Sequence, residues 1–437
     1  MAKYPESNVV VIAPDQIHTM DELAMKTIYD RSAIKSRFYA SMGSWKGIKS
    51  TLGFLDYPSA APTRNNLIRC FQNQNLAALV DQIQSHVMAL VDVLRKTSEK
   101  GDKVDGVICF RLLALDIVTD VLWGEKVTLL SQMDGQTPEF LRRFHAFSSW
   151  NALKASVPGA DTFVRFFGSK KWRTLRWECD QLDITAKEAL QRWIDQPATK
   201  HNRDVLSMLK AMEAEEDPRK RLPNEHIPAY MVEMLAAGSS TTSHTVAFAC
   251  FLLARHPEAE QRLRRELVET FPDPDSLDPT KTTSLPYLDS VLKETMRMFP
   301  MIPGPLERHL GKSIELYGIT IPPGVVASTA AYTQGRLRDV FPNPETWNPS
   351  RWIDAHEHEK ERMELNWIPF GTGSRACPGS NLAITELKYM LGTIFRLFRS
   401  VVPDGHEADV LELADIFAAG SKTGHVWLQF ITDSGTL

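Results

Sequence analysis

Phe370-Gly371-Thr372-Gly373-Ser374-Arg375-Ala376-Cys377-Pro378-Gly379 sets one cysteine in a run that suits neither helix nor strand. Three glycines open φ > 0 geometry and a proline removes a backbone donor, so the segment reads as a shaped loop. Immediately downstream, Leu382, Ala383, Leu387, Met390, Leu391, Ile394 and Phe395 recur at helical spacing. The sulfur of Cys377 therefore sits about one turn before a helix that buries an apolar face. The free N–H groups and the dipole of a helix N-terminus favour a thiolate there.

Moving upstream, Leu288, Val291, Leu292, Thr295 and Met298 predict a helix over Leu285–Phe299, with Ser284 as N-cap, Pro286 in the first turn and Pro300 as the stop. Glu294 and Arg297 share one face of it. Their apolar surroundings predict a buried pair, which needs further partners to offset desolvation. Farther back, a helix beginning near Ile227 carries Ala236-Ala237-Gly238-Ser239-Ser240-Thr241-Thr242-Ser243. A glycine followed by five hydroxyl residues is a poor helix interior, and the hydroxyls can bond back to i−4 carbonyls, so a local distortion is expected.

Helical patterns over Leu76–Leu94, Phe110–Trp123, Phe140–Trp150, Leu175–Trp193 and Ile227–Ala254 fill the middle of the chain, separated by charged connectors such as Glu213–Arg221. Strand-like pieces occur at Val9–Ile12, between Ser313 and Ser328, and near Val426–Ile431, with a Pro14-Asp15 turn and a helix near Met20–Tyr29 following the first. The fold class is mainly α with a small β region. A sheet drawing on both ends leaves no place to cut, so residues 1–437 read as a single domain. The run Ala355–Glu364 lacks the second histidine of a zinc helix, Lys360 standing in its place, and reads as a solvated loop. The charged run Glu258–Glu269 reads as an exposed helix face with i,i+4 pairing.

With 43% hydrophobic and 24% charged residues and a net charge of −4, the 437-residue chain has globular composition and no global affinity for nucleic acid. Five cysteines without C-x-x-C pairs argue against a disulfide framework and fit a reducing compartment. The longest apolar stretch, Val246–Ala254, is about half of the roughly 18 residues a membrane span needs.

The spacing Phe-x-x-Gly-x-Arg-x-Cys-x-Gly around Cys377 resembles the haem-binding loop of the cytochrome P450 family of haem-thiolate monooxygenases. The resemblance runs through nearly the whole chain, and its specific motifs lie between Ala236 and Glu386. It implies the single-domain P450 fold, with haem b between a long central helix and the helix after the cysteine loop. Cys377 would be the axial ligand of haem iron, Arg375 a partner of a haem propionate, and Phe370, Gly371, Gly373 and Gly379 the remaining shape of the loop. Arg308 and Arg64, the latter in a helix starting near Pro62, would be further propionate partners, although Ala60 and Asn65 depart from the family's usual aromatic or basic surroundings of Arg64. Glu294, Arg297 and Arg351 match the family's structural triad. Gly238 and Thr241 match the dioxygen groove and the proton-delivering threonine of the central helix, and Ser240 stands where the family usually has an acid.

The same resemblance implies hydroxylation or other oxidation of a lipophilic small molecule in secondary metabolism. The pocket would be shaped by Tyr39–Leu55, Met234, Ala237, Ile302–Leu306 and Phe417–Ser421. No flavin, nicotinamide or iron–sulfur fingerprint appears in the sequence, so electrons come from outside. Similarity to microsomal members implies NADPH and a flavoprotein reductase docking on the face below the cysteine loop, with Lys388 contributing. It further implies location on the cytosolic face of the endoplasmic reticulum membrane through an anchor helix preceding this sequence. On that reading Met1-Ala2 opens a shortened, soluble form that lacks the anchor and first helix. Two alternatives stay open: a reductase-independent isomerase or dehydratase, and a non-catalytic haem protein that binds a ligand.

Overall fold

The computed structural model describes residues 9–45, 48–133, 139–157, 159–196, 204–213, 224–406 and 410–432. The helices that matter for the site are α1 (Glu22–Ile28), α2 (Tyr57–Cys70), α3 (Val80–Lys100), α4 (Gly106–Trp123), α5 (Glu139–Ser156), α6 (Ala160–Phe167) and α7 (Lys170–Ile194). They continue with α8 (Ile227–Arg255), α9 (Pro257–Thr270), α10 (Pro286–Met298), α11 (Glu357–Asn366) and α12 (Ser380–Leu397). Strands are short: β1 (Val9–Ala13), β2 (Gln16–Thr19), β3 (Ile34–Lys35), β4 (Val104–Asp105), β5 (Arg308–His309), β6 (Ile314–Leu316) and β7 (Ile319–Ile321). The last are β8 (Val326–Ser328), β9 (Phe398–Val401), β10 (Leu413–Ile416), β11 (Ala418–Ser421) and β12 (Trp427–Thr432). The fold is mainly α with a small β region. The Glu213–Arg221 connector lies, beyond its first residue, outside the described residues.

Helix α4 is apolar almost all round and buried almost end to end, as a helix enclosed by others must be. It packs along α8, and Gly238 makes the approach possible: a Cβ there would stand 2.9 Å from Val118 Cγ2. Helix α8 in turn packs on α12, so the central helix and the helix after the cysteine loop share one continuous core. The distortion expected at Gly238–Ser243 does not break α8, which runs unbroken. The back-bonding does occur: Ser239, Thr241 and Thr245 donate to the carbonyls of Leu235, Ala237 and Thr241 at 2.7, 2.6 and 2.9 Å.

The largest sheet has the order β1-β2-β8-β5-β3. β2 and β8 run parallel, with Ile17 opposite Ala327, whereas β5 pairs antiparallel with both β8 and β3. The β3–β5 register sets Lys35 directly opposite Arg308. A second sheet, β9-β12-β4, joins the chain's end to its first third.

Four local expectations are corrected. Helix α10 begins with Leu285 as N-cap rather than Ser284. Its free N–H groups at Tyr287 and Leu288 are met from α9 by the Glu266 carboxylate at 2.7 and 2.9 Å. Hence Glu258–Glu269 is not simply a solvated face: Glu260 and Arg264 are buried as well, and Arg264 donates to the carbonyls of Phe395 and Phe398. Residues 357–366 form helix α11 rather than a loop, its start stabilised by Glu359 accepting from the His356 N–H at 2.9 Å. Helix α2 starts at Tyr57, capped by Asp56, so Pro62 lies inside it rather than at its start.

Candidate active site

The cysteine loop is pinned at both ends. Cys377 N–H donates to Phe370 O at 2.8 Å, closing the loop on itself, and Ser374 N–H donates to Tyr29 O at 3.0 Å, tying it to the end of α1. Gly371 and Gly373 take φ of 71° and 66°, and a Cβ on Gly373 would stand 2.3 Å from Tyr29 O, so only glycine fits there. Gly379 is the N-cap of α12 and its Cβ direction is open. Cys377 is exposed although protein surrounds it at longer range, as a residue at the floor of a recess rather than in the packed core is. Those walls push its thiol pKa up by desolvation, while the Gly379 N–H and the Arg64 charge pull it down.

Helix α8 is buried along most of its length but leaves Glu233, Met234, Ala236, Ala237, Gly238, Ser240 and Thr241 partly or fully open. Glu233, Ala237 and Thr241, at i, i+4 and i+8, run along the middle of this open face, opposite the buried Leu235 and Ser239. Glu233 and Lys35 both bond Leu52, one accepting from its N–H and the other donating to its carbonyl, so the α8 stripe and β3 meet at that residue. Thr241 commits its own proton to Ala237 O, leaving its oxygen lone pairs to accept from whatever lies in the cleft. Glu233 also fixes the wall opposite: its carboxylate accepts from Thr51 N–H, Thr51 Oγ1 and Leu52 N–H at 3.1, 2.6 and 2.8 Å.

Four cations converge on the rim. Lys35 donates to Leu52 O at 3.0 Å, Arg375 to Leu55 O at 3.2 Å, Arg64 to Ala376 O, and Arg308 to Glu307 O at 2.7 Å. The Arg308 guanidinium also stacks between the rings of Tyr29 and Tyr39, at 5.2 and 5.4 Å from their centroids. Burial and mutual repulsion push Lys35 down to about 7 and Arg375 down to about 10, in both cases with desolvation first and Arg308 second. Desolvation also lowers Arg64. Among the described residues none of the four is paired with a carboxylate within 4.0 Å. Like charges directly opposite across a ladder destabilise it, so Lys35 facing Arg308 is a cluster that a ligand with two carboxylates would neutralise. Haem, with its two propionates and an iron that a thiolate can ligate, fits this donor set.

Glu294 and Arg297 have fully buried side chains, and the Glu294 carboxylate accepts from Arg297 Nε and Nη2 at 2.9 and 2.8 Å. It also accepts from Arg351 Nε at 3.0 Å, Trp352 Nε1 at 3.0 Å and Asn348 N–H at 2.9 Å. The three residues of the expected triad thus meet. Lys388 does not serve as expected: it is buried, bonded to Thr283 O at 2.7 Å and paired with Asp289 at 2.6 Å, and presents no charge to a partner. Sequence reasoning missed Lys35, Glu233 and Arg111, the last of which donates from α4 to Ser240 Oγ at 3.1 Å. None carries a local motif, and each acquires its role only through pairing across the fold. A groove of about 730 Å³ lies between His18, Pro303, Pro305, Tyr332 and Leu413, and neither Cys377 nor Thr241 lines it.

An exposed cysteine in a glycine loop ahead of α12, beside cations without carboxylate partners among the described residues, has the donor set of a thiolate-ligated haem protein. The cytochrome P450 family profile matches residues 4–426, and the chain belongs to that family. It is 26% identical over 370 residues to "Cytochrome P450 3A29" of Sus scrofa, covering 82% of this chain and 71% of that protein. It is 25% identical over 407 residues to "Cytochrome P450 monooxygenase penB" of Penicillium thymicola, covering 90% and 89%. It is also 27% identical over 346 residues to "Cholesterol side-chain cleavage enzyme, mitochondrial" of Hypanus americanus, covering 77% and 64%. The protein is accordingly a haem-dependent monooxygenase, an oxidoreductase supplied with electrons by a redox partner.

Proposed function

We propose that this monooxygenase oxidises a lipophilic small molecule in secondary metabolism, using NADPH through a flavoprotein reductase at the cytosolic face of the endoplasmic reticulum. Haem, when bound, supplies the dioxygen chemistry that a thiolate ligand promotes. The chain's own residues divide the remaining work. Cys377 gives the iron its thiolate; Lys35, Arg64, Arg308 and Arg375 hold the propionates; Phe370, Gly371, Gly373 and Gly379 keep the loop in shape. Thr241 accepts a hydrogen bond at the reacting face and keeps water ordered there, with Ser240 beside it. Gly238 keeps α8 close enough to α4 for that stripe to stay in place. Glu294, Arg297 and Arg351 brace the fold without touching the chemistry.

The observation that carries the reading is the exposed Cys377 in its glycine loop, with Arg64 bonded to the neighbouring Ala376 carbonyl and Lys35 facing Arg308 across the β3–β5 ladder, cations that have no carboxylate partner among the described residues. Support for an apolar substrate comes from Met234, Ala237, Ile302, Leu306 and Phe417, all partly open, with the Phe417 ring packed on Phe38 and Tyr39 at 5.6 and 6.3 Å. Among the described residues no helix is long and apolar enough to cross a membrane. Similarity to a mitochondrial side-chain cleavage enzyme as well as to other P450s makes the electron donor the point to test. The reduced carbon monoxide complex should show the strongly red-shifted Soret band of thiolate ligation and lose it in Cys377→Ala. Reduction should proceed with NADPH and the flavoprotein reductase. Reduction only by a ferredoxin system would reject the reductase assignment.

A further inference from the structure

The hydroxyl run of α8 is not uniform. Ser239, Thr241, Ser243 and Thr245 each spend their proton on a carbonyl of their own helix. Ser240 is different: its oxygen accepts a hydrogen bond from Arg111 Nη2 at 3.1 Å, across the helix–helix seam. Arg111 is 9% exposed and sits two turns before Val118 on the same face of α4, so the Gly238–Val118 contact that draws the helices together also brings the guanidinium to Ser240. The Ser240 carbonyl is held too, accepting from His244 Nδ1 at 2.8 Å and Ser243 Oγ at 3.0 Å. Backbone and side chain of this one residue are thereby fixed in orientation, next to Thr241 on the flank of the open stripe.

We propose that Ser240 is the proton relay of this enzyme and that Arg111 is its positioning residue. A hydroxyl has one proton and two lone pairs. Arg111 occupies one lone pair with a charge-assisted bond, which polarises the O–H and makes it a stronger donor. The second lone pair takes a proton from an incoming solvent water while Ser240 passes its own proton to the cleft water held by Thr241. One proton enters and one leaves. Arg111 gives up none, because it is still cationic at neutral pH even though desolvation lowers it to about 10. A serine that cannot store a proton thus serves where an acid would, provided the cation stands behind it.

The proposal rests on the monooxygenase reading, and the test separates the two. Holoprotein variants Ser240→Ala, Arg111→Met, Arg111→Lys and the Ser240→Ala/Arg111→Met double are compared by the infrared C–O stretch of the reduced carbon monoxide complex. They are compared also by reductase-driven NADPH consumption in water and heavy water. Ser240→Ala and Arg111→Met should each shift the stretch and slow consumption about tenfold, the factor a charged hydrogen bond commands, with a larger solvent isotope ratio. The double variant should be no slower than either single, and Arg111→Lys should recover much of the rate. An unshifted stretch and unchanged rate in Arg111→Met, or effects that multiply in the double, would overturn the proposal. Absence of the red-shifted Soret band in the unaltered protein would instead defeat the monooxygenase reading.

Discussion

Removing Arg297 should be among the most destabilising single changes outside the haem cleft. Its side chain is fully buried and supplies two of the five donors on Glu294, and its Nη1 also serves the carbonyls of Gly335 and Pro344 at 2.6 and 2.8 Å. Arg297→Ala leaves Glu294 with Arg351, Trp352 and Asn348 and strips two carbonyls of this donor. Breaking a buried ion pair from one side costs about 3–5 kcal/mol. With an unfolding entropy of about 2.1 cal/mol/K per residue, the 437-residue chain has roughly 0.9 kcal/mol/K, so the melting midpoint should fall about 4 °C. Arg351 lies nearer the surface at 8% and gives Glu294 a single bond, so Arg351→Ala should cost less, about 1.5–3 kcal/mol. Arg297→Lys, which keeps charge but loses the fork, should fall between them. Scanning calorimetry of the holoprotein variants, with the Soret band as a check on haem content, reads all three. A drop below about 1 °C for Arg297→Ala, or a larger drop for Arg351→Ala, would refute the assignment of this cluster as the brace of the fold.

Glu386 on α12 is buried with Oε1 unbonded, and desolvation raises its pKa to about 8 from 4.5. The folded state holds the proton between those values, so stability falls as pH rises from 4.5 through 8, by up to about 5 kcal/mol. Glu386→Gln should flatten the melting-point profile across that window; an unchanged profile would show that the carboxyl is already ionised in the folded protein. Glu233→Ala should free the Thr51 and Leu52 amides, raising their hydrogen-exchange rates about tenfold to a hundredfold. Equal protection in both proteins would mean that the loop holds itself. Lys35→Met should speed haem transfer to apomyoglobin by about tenfold, and slower transfer would show that repulsion from Arg308 outweighs propionate binding.

Much of this was legible along the chain because it is local. The glycine and proline content of Phe370–Gly379 specifies a loop wherever it sits, and the 3.6-residue periodicities of α4, α8 and α12 report faces that must be buried. Glu294 and Arg297 are one turn apart, so their pairing follows from helix geometry alone. Resemblance alone turns Lys388 outward to a partner, whereas Asp289 and Thr283 O take it inward. The α10 cap was misplaced for a related reason: Glu266, on another helix, supplies the acceptors that a local Ser284 was expected to provide. Helix α11 escaped notice since only Met363 and Asn366 face inward, too few to make a stripe. Lys35 sits in a two-residue strand whose partner comes from the far side of the chain, and nothing near it in sequence signals that Arg308 lies opposite.

The sheet order β1-β2-β8-β5-β3 also has a temporal meaning. During synthesis β1 and β2 can pair with each other at once, but β3 and the far edge of β2 emerge early and wait, because β5 and β8 follow almost three hundred residues later. Loop closure over such distances is slow, and contacts of this kind are among the last to form. The Lys35–Arg308 face of the haem cradle therefore does not exist on a nascent chain, and the cysteine loop emerges later still. Cofactor capture must be a closing event of biogenesis, governed by how long the unmatched N-terminal strands survive before their partners arrive.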